Sequence, residues 1–227
     1  SGPQIYGIAH ATHHKNVHTF EDLEFWPTGG KTTVARARIA LIFELFFGII
    51  AWSLRATPGI TKHPRYSRRS GVIFIVGSVL LFAGLMFAAR GLYGDLYWYA
   101  AAAYWLHLLL FAVALRMLQY LEHLGITAPD LDYKTRTKLT RNARCSGFLN
   151  WIWHKITLNE TAEHTLHHQR AGIPYRRYLP RAPSAPSTPV RTVSVTDLPR
   201  IIWNYWKDPL RVIGPDSPEI EELRNLE

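Results

Sequence analysis

GVIFIVGSVLLFAGLMFAARGLYGDLYWYAAAAYWLHLLLFAVAL, residues 71–115, sets the architecture. Residues 71–89 carry no charge and are long enough to span a bilayer as a helix. Residues 96–115 form a second such run, opened by Tyr97, Trp98 and Tyr99, which read as an interfacial aromatic belt. Arg90 and Asp95 are the only charges in the short connection. A shorter apolar stretch upstream, 39–54 (IALIFELFFGIIAWSL), contains Glu44 and is flanked by Arg36, Arg38 and Arg55. It reads as an interfacial or re-entrant helix. The expected fold is therefore all-α and integral to a membrane. Two transmembrane helices are preceded by an interfacial or re-entrant helix and topped by a cytoplasmic helical cap that carries histidines.

Those histidines come as a repeated pattern. His10-Ala11-Thr12-His13-His14 and His164-Thr165-Leu166-His167-His168 both read His-x-x-His-His, in a chain with 11 His. Positions i, i+3 and i+4 share one helix face, so each copy aims three imidazoles the same way. Six clustered imidazoles suit a first-row transition metal, and more than one ion. If the copies share a site, an even number of crossings separates them. The spans 71–89 and 96–115 satisfy that parity.

Charge supports the same topology. The chain carries +9 at pH 7 over 227 residues. Such a balance suggests nucleic acid, but Lys and Arg here cluster beside the apolar runs, which fits an anionic membrane surface instead. Arg55, Lys62, Arg65, Arg68 and Arg69 precede the first span, and Arg116, Lys134, Arg136, Lys138, Arg141 and Arg144 follow the second. The positive-inside rule puts both boxes in the cytoplasm, at a bacterial inner membrane or an ER membrane. The single cysteine, Cys145, excludes an internal disulfide and a cysteine-based zinc or iron–sulfur cluster. The organisation expected is a membrane domain over 1–180, then a proline-rich linker and an aromatic, basic tail over 181–227. The last stretch, 216–227, is acidic and reads as solvated.

Other residues could complete a site. His123 follows the second span on the box side and is a candidate seventh ligand. Gln119, one turn earlier, could bond a ligand or a metal-bound water. Ligating histidines commonly donate their other N–H to a carboxylate, for which Asp22, Glu122, Glu160 and Glu163 are near in sequence. His18, four residues past the first box, and Asn159, five before the second, could support ligands in the same way. His63 reads as solvated, His107 as a hydrogen-bonded structural residue and His154 as part of an interfacial anchor.

The boxes, the paired spans between them and the His123 segment together resemble the membrane fatty acid desaturase superfamily, which also includes hydroxylases and carotenoid ketolases. Its members carry a His-x(3 or 4)-His box, a His-x-x-His-His box, two further membrane helices, often another His ligand, and a final His-x-x-His-His box. His10, His13 and His14 match the middle box, and His164, His167 and His168 the final one. His123 falls where the additional ligand is found. The resemblance covers residues 5–180. It implies a non-haem centre of two iron ions that uses O2 as co-substrate to introduce a C=C bond into an acyl lipid, acyl-CoA or acyl-ACP. It also implies an external ferredoxin, rubredoxin or cytochrome b5-like electron donor. The family's first box has no match, and seven ligands fall short of the family's set. The expectation is an N-terminally truncated member, which allows for inactivity of this stretch alone. Hydroxylation or ketolation on the same scaffold is the nearest alternative. The residues alone also admit a His-ligated membrane zinc hydrolase or a non-catalytic metal carrier.

Overall fold

The computed structural model describes residues 3–26, 32–148, 150, 152, 164–169 and 191–226. Helix α1, Pro3–Asn16, carries the first box. It ends where Thr19 turns back onto the Asn16 carbonyl and His18 adopts φ 62°, reversing the chain. Helices α2, Val34–Phe47, and α3, Ile49–Ile60, follow. The stretch read as one interfacial helix is thus two helices. Gly48 separates them with φ 54°, a left-handed conformation open to glycine at little cost. The tip packs directly on a later helix: a Cβ on Gly48 would lie 2.0 Å from the Ala112 carbonyl oxygen.

That later helix is the second arm of an apolar hairpin. Helix α4, Arg68–Tyr93, is N-capped by Ser67 and stopped by Gly94, and a 3₁₀ turn leads into α5, Tyr97–His123. At 26 and 27 residues, each helix is about 40 Å long. Among the described residues, Arg68–His123 is the one helical stretch apolar and long enough to cross a membrane. Its side chains face outward: Ile75, Leu80, Leu81 and Phe87 are each more than 60 % exposed, and only Ala89 of α4 is buried. Such a surface needs an apolar surround. Phe82 touches Tyr104 and Trp105 between the two arms.

Helix α5 changes character along its length. Its first half is exposed and apolar, whereas Arg116 and Gln119–His123 are buried and mostly polar. Glu44, His13, His164 and His168 gather around that end. Arg141 donates to the carbonyls of Tyr120, Leu121 and Leu124 at 2.7–3.0 Å, closing the C-terminus of α5. After α6, Tyr133–Leu139, come strand β1, Arg141–Arg144, and helix α7, His164–Gln169, with the second box. Strand β2, Arg191–Ser194, pairs in parallel with β1, Arg141 opposite Arg191. This two-stranded ladder amends the all-α expectation.

The C-terminal segment is packed rather than a free tail. Helix α8, Leu198–Lys207, buries Ile201 against Leu41, Tyr120, Leu121 and Leu124. Helix α9, Pro218–Leu226, buries Ile220 and Leu223 against Ile126, Leu139 and Ile213. The stretch read as solvated keeps its acidic face outward and these two apolar side chains inward.

The Gly48 contact yields a test. Gly48→Ala should cost about 2–4 kcal/mol, from left-handed strain and overlap with Ala112. Thermal unfolding in detergent would measure it, and an unchanged melting temperature would contradict the close approach.

Candidate metal centre

Three elements deliver the histidines. Helix α1 brings His10, His13 and His14, the end of α5 brings His123, and α7 brings His164, His167 and His168. All seven imidazoles converge. His13 Nε2 lies 3.2 Å from His168 Nε2, which is 3.3 Å from His123 Nε2 and 3.2 Å from His164 Nε2. His123 and His164 approach to 2.7 Å, and His10 and His14 to 3.2 Å, again through Nε2. Three groups of ligand atoms each lie within 4.8 Å of one another: His10, His14 and His167; His13, His123 and His168; and Glu122, His123 and His164.

Carboxylates fix which nitrogen faces inward. His13 Nδ1 donates to Asp22 Oδ2 at 2.7 Å, and His10 Nδ1 donates to Glu24 Oε2 at 3.3 Å. With Nδ1 protonated, Nε2 of a neutral ring presents a lone pair to the centre. Asp22 sits where the sequence suggested; Glu24 was not singled out. The signal available was its place two residues after Asp22 in the same acidic turn, where Asp22 Oδ1 accepts from the Glu24 amide at 3.0 Å.

The remaining candidates divide. Glu122 Oε2 lies 3.3 Å from His164 Nε2, inside the cluster. His18 is buried, its ring 5.1 Å from the His123 ring and its Nε2 3.0 Å from Thr140 Oγ1. Among the described residues Gln119 bonds no imidazole: its Nε2 donates to Glu24 Oε1 and its Oε1 accepts from Arg116 at 2.8 Å. It acts on His10 only through Glu24. Asn159, Glu160, Glu163 and His154 lie outside the described residues. His63 is half-buried and accepts from the Arg65 amide, while His107 is exposed on α5.

Polar residues unmarked in the sequence reading hold the second box. Thr165 donates its hydroxyl to the Thr140 carbonyl at 2.8 Å and its amide to Asn142 Oδ1 at 2.9 Å. Tyr133 donates to the His168 carbonyl at 3.3 Å. Threonine and asparagine in a polar stretch of sequence give no signal for this role, because they pair with backbone almost anywhere.

The donor set suits metal ions. Each neutral imidazole has one N–H, yet His168 Nε2 has three other ring nitrogens within 3.3 Å, and one proton cannot serve them all. Nδ1 of His14, His123, His164 and His168 is buried with no hydrogen-bond partner among the described residues. Cations at the Nε2 focus would use the converging lone pairs.

Proton affinities follow the same geometry. Burial and then the His10 charge push His14 down to about 3, and burial and the same neighbour push His167 to about 4. Burial, then the surrounding imidazoles, takes His164 and His168 far below the usual range. These rings are neutral at pH 7, as ligation requires. His13 runs the other way: burial opposes its charge, but Asp22 and Glu24 raise its pKa. Burial would raise Glu24, yet His13, His10 and Arg116 hold it at about 2.

The chain matches the fatty acid desaturase family over residues 1–186. It belongs to that family of membrane-associated oxidoreductases. No curated protein and no solved structure matches it.

Two outcomes follow. Asp22→Ala removes the acceptor that orients His13 and should weaken metal retention about 10–100-fold, read by metal analysis after dialysis. In the metal-free protein, His14, His164, His167 and His168 have pKa values below the unfolded 6.5. Unfolding therefore takes up protons at these groups as pH falls through 6.5 towards 4, and their contribution to stability is lost in that window. His13 contributes with the opposite sign. Four groups outweigh one, so the melting temperature should fall between pH 7 and pH 4.5, and bound metal should be released over the same range.

Proposed function

We propose that this protein is an oxygen-dependent acyl lipid desaturase. His10, His13, His14, His123, His164, His167 and His168 hold two iron ions in this reading. One observation carries it: two distant boxes and His123 bring their ring nitrogens together at the buried end of an apolar hairpin. Bound iron would supply O2 activation and cleavage of unactivated C–H bonds. The overall conversion takes one O2, two electrons and two protons, and releases two waters with the alkene.

The chain's own residues prepare that chemistry. Asp22 and Glu24 hold the Nδ1 protons of His13 and His10, so their Nε2 atoms stay aimed inward. Glu122 adds a carboxylate beside His123 and His164, offsetting cationic charge. Thr140, Asn142 and Thr165 anchor the second box, and α5 carries the apolar surface up to the site. In this reading α4 and α5 cross the bilayer and return. The α2–α3 hairpin enters partway, its Gly48 tip meeting Ala112 about 16 Å along α5 from His123. Both boxes then face the cytoplasm, where a ferredoxin, rubredoxin or cytochrome b5-like protein supplies electrons.

The test uses the full-length gene product expressed in a host whose fatty acids and carotenoids are profiled by mass spectrometry. New acyl double bonds are expected, accompanied by iron in the purified protein. His167→Ala should abolish the products and reduce bound iron. New oxygen-bearing products without new double bonds would replace desaturation by hydroxylation or ketolation. Zinc without iron would overturn the oxidative reading altogether.

A further inference from the structure

Past the C-terminal end of α5 lies an open cleft of about 220 Å³. Arg141, Arg191, Arg200 and Arg211 line it, against the carboxylates of Asp208 and Glu219. The excess is positive, and the opening admits a phosphate-sized group rather than burying a whole ligand. The arginines are not spent. Arg141 is bonded to three backbone carbonyls, and burial and then the Arg191 charge pull it to about 9, with Glu122 opposing. It remains charged at pH 7 at an energetic cost that an anion in the cleft would relieve. Arg191, Arg200 and Arg211 each reach one carboxylate, of Glu222, Asp197 and Glu219, at 2.9–3.1 Å. These pairs lie at the surface, where such contacts contribute little, and each guanidinium has further N–H groups to offer.

The cleft adjoins the histidine site. Leu124, Gly125, Ile126 and Tyr205 line it and also line a smaller hollow that reaches His123. Arg191, Arg200 and Arg211 lie beyond the residues that match the family, so the basic wall belongs to this chain's C-terminal segment.

We propose that this cleft binds the phosphate-ester head of the acyl substrate and so selects phosphate-bearing acyl compounds over neutral lipids. Planar guanidinium groups match phosphate oxygens in pairs, which makes arginine the suitable residue. The inference rests on the acyl-oxidation reading and names its substrate class. A phosphate ester can come from a soluble carrier such as coenzyme A or from a phospholipid, and separate probes distinguish the two.

The full-length protein in detergent would be titrated with coenzyme A and, separately, with phosphatidylglycerol, bound probe being read by native mass spectrometry. Arg200 and Arg211 are surface residues away from the histidines, so the R200Q/R211Q variant should fold and retain metal normally. At least one probe should bind the wild type and weaken about tenfold or more in R200Q/R211Q, with R200K/R211K, which keeps the charge but not the paired geometry, falling between the two. The probe that responds names the source of the phosphate. Equal binding of both probes to wild type and variant, or no binding of either, overturns the proposal. Binding requires no turnover, so failure of the oxidation reading appears separately, in the product analysis.

Discussion

One buried guanidinium organises the polar half of this protein. Arg116 projects from α5 and donates to Glu44 Oε2 on α2 at 2.5 Å, to Gln119 Oε1 at 2.8 Å, and to the Glu24 carbonyl at 3.3 Å. Its planar group lies 4.9 Å from both the Phe25 and Tyr120 ring centroids. Tyr120 and Arg55 complete the bonding of Glu44. Neither charge would be tolerated there alone, because an unpaired buried ion costs several kcal/mol. The pair therefore ties the half-length hairpin, the turn after the first box and the end of α5 into one arrangement. Glu24 belongs to that turn, so the orientation of His10 depends on an ion pair that touches no histidine.

The sequence was most legible where pattern and chemistry coincide. The box spacing placed six imidazoles on helix faces, and the apolar runs marked the helices between them. His123 was visible because an ionisable residue closing an apolar helix is unusual. Glu44 reads in the sequence only as a charge within the stretch 39–54, and Arg116 only as one of the basic residues that follow the second span. That they meet is a tertiary fact, set by the break at Gly48, and a single glycine in a long apolar run does not announce a reversal. Glu24 was hidden for a similar reason: of three acidic residues in one short turn, only the fold decides which two face inward. The β1–β2 ladder was missed because each strand has four residues and neither alternates clearly.

The site also shows how charge is apportioned before any metal arrives. Most of the imidazoles are neutral because they crowd each other away from water. His13 is the exception, since two carboxylates stand beside it. The protein has thus placed negative charge on one flank of the cluster, beside the first box, with Glu122 on another. Cations entering such a centre would have their charge partly balanced by groups already locked in hydrogen bonds, with little reorganisation required.

The pairing of β1 with β2 has a topological consequence. Arg141–Arg144 and Arg191–Ser194 run side by side, so the chain between them, including the second box, is closed into a loop stapled at its base. Fixing both ends of a segment removes conformational freedom that a dangling segment would lose only on binding. The staple's second half comes from beyond the family-matched region. Proteolytic nicking between the box and β2 would leave every histidine present and covalently attached. It would still open the loop, leaving the second box to the bonds that Thr140, Asn142 and Tyr133 make with it.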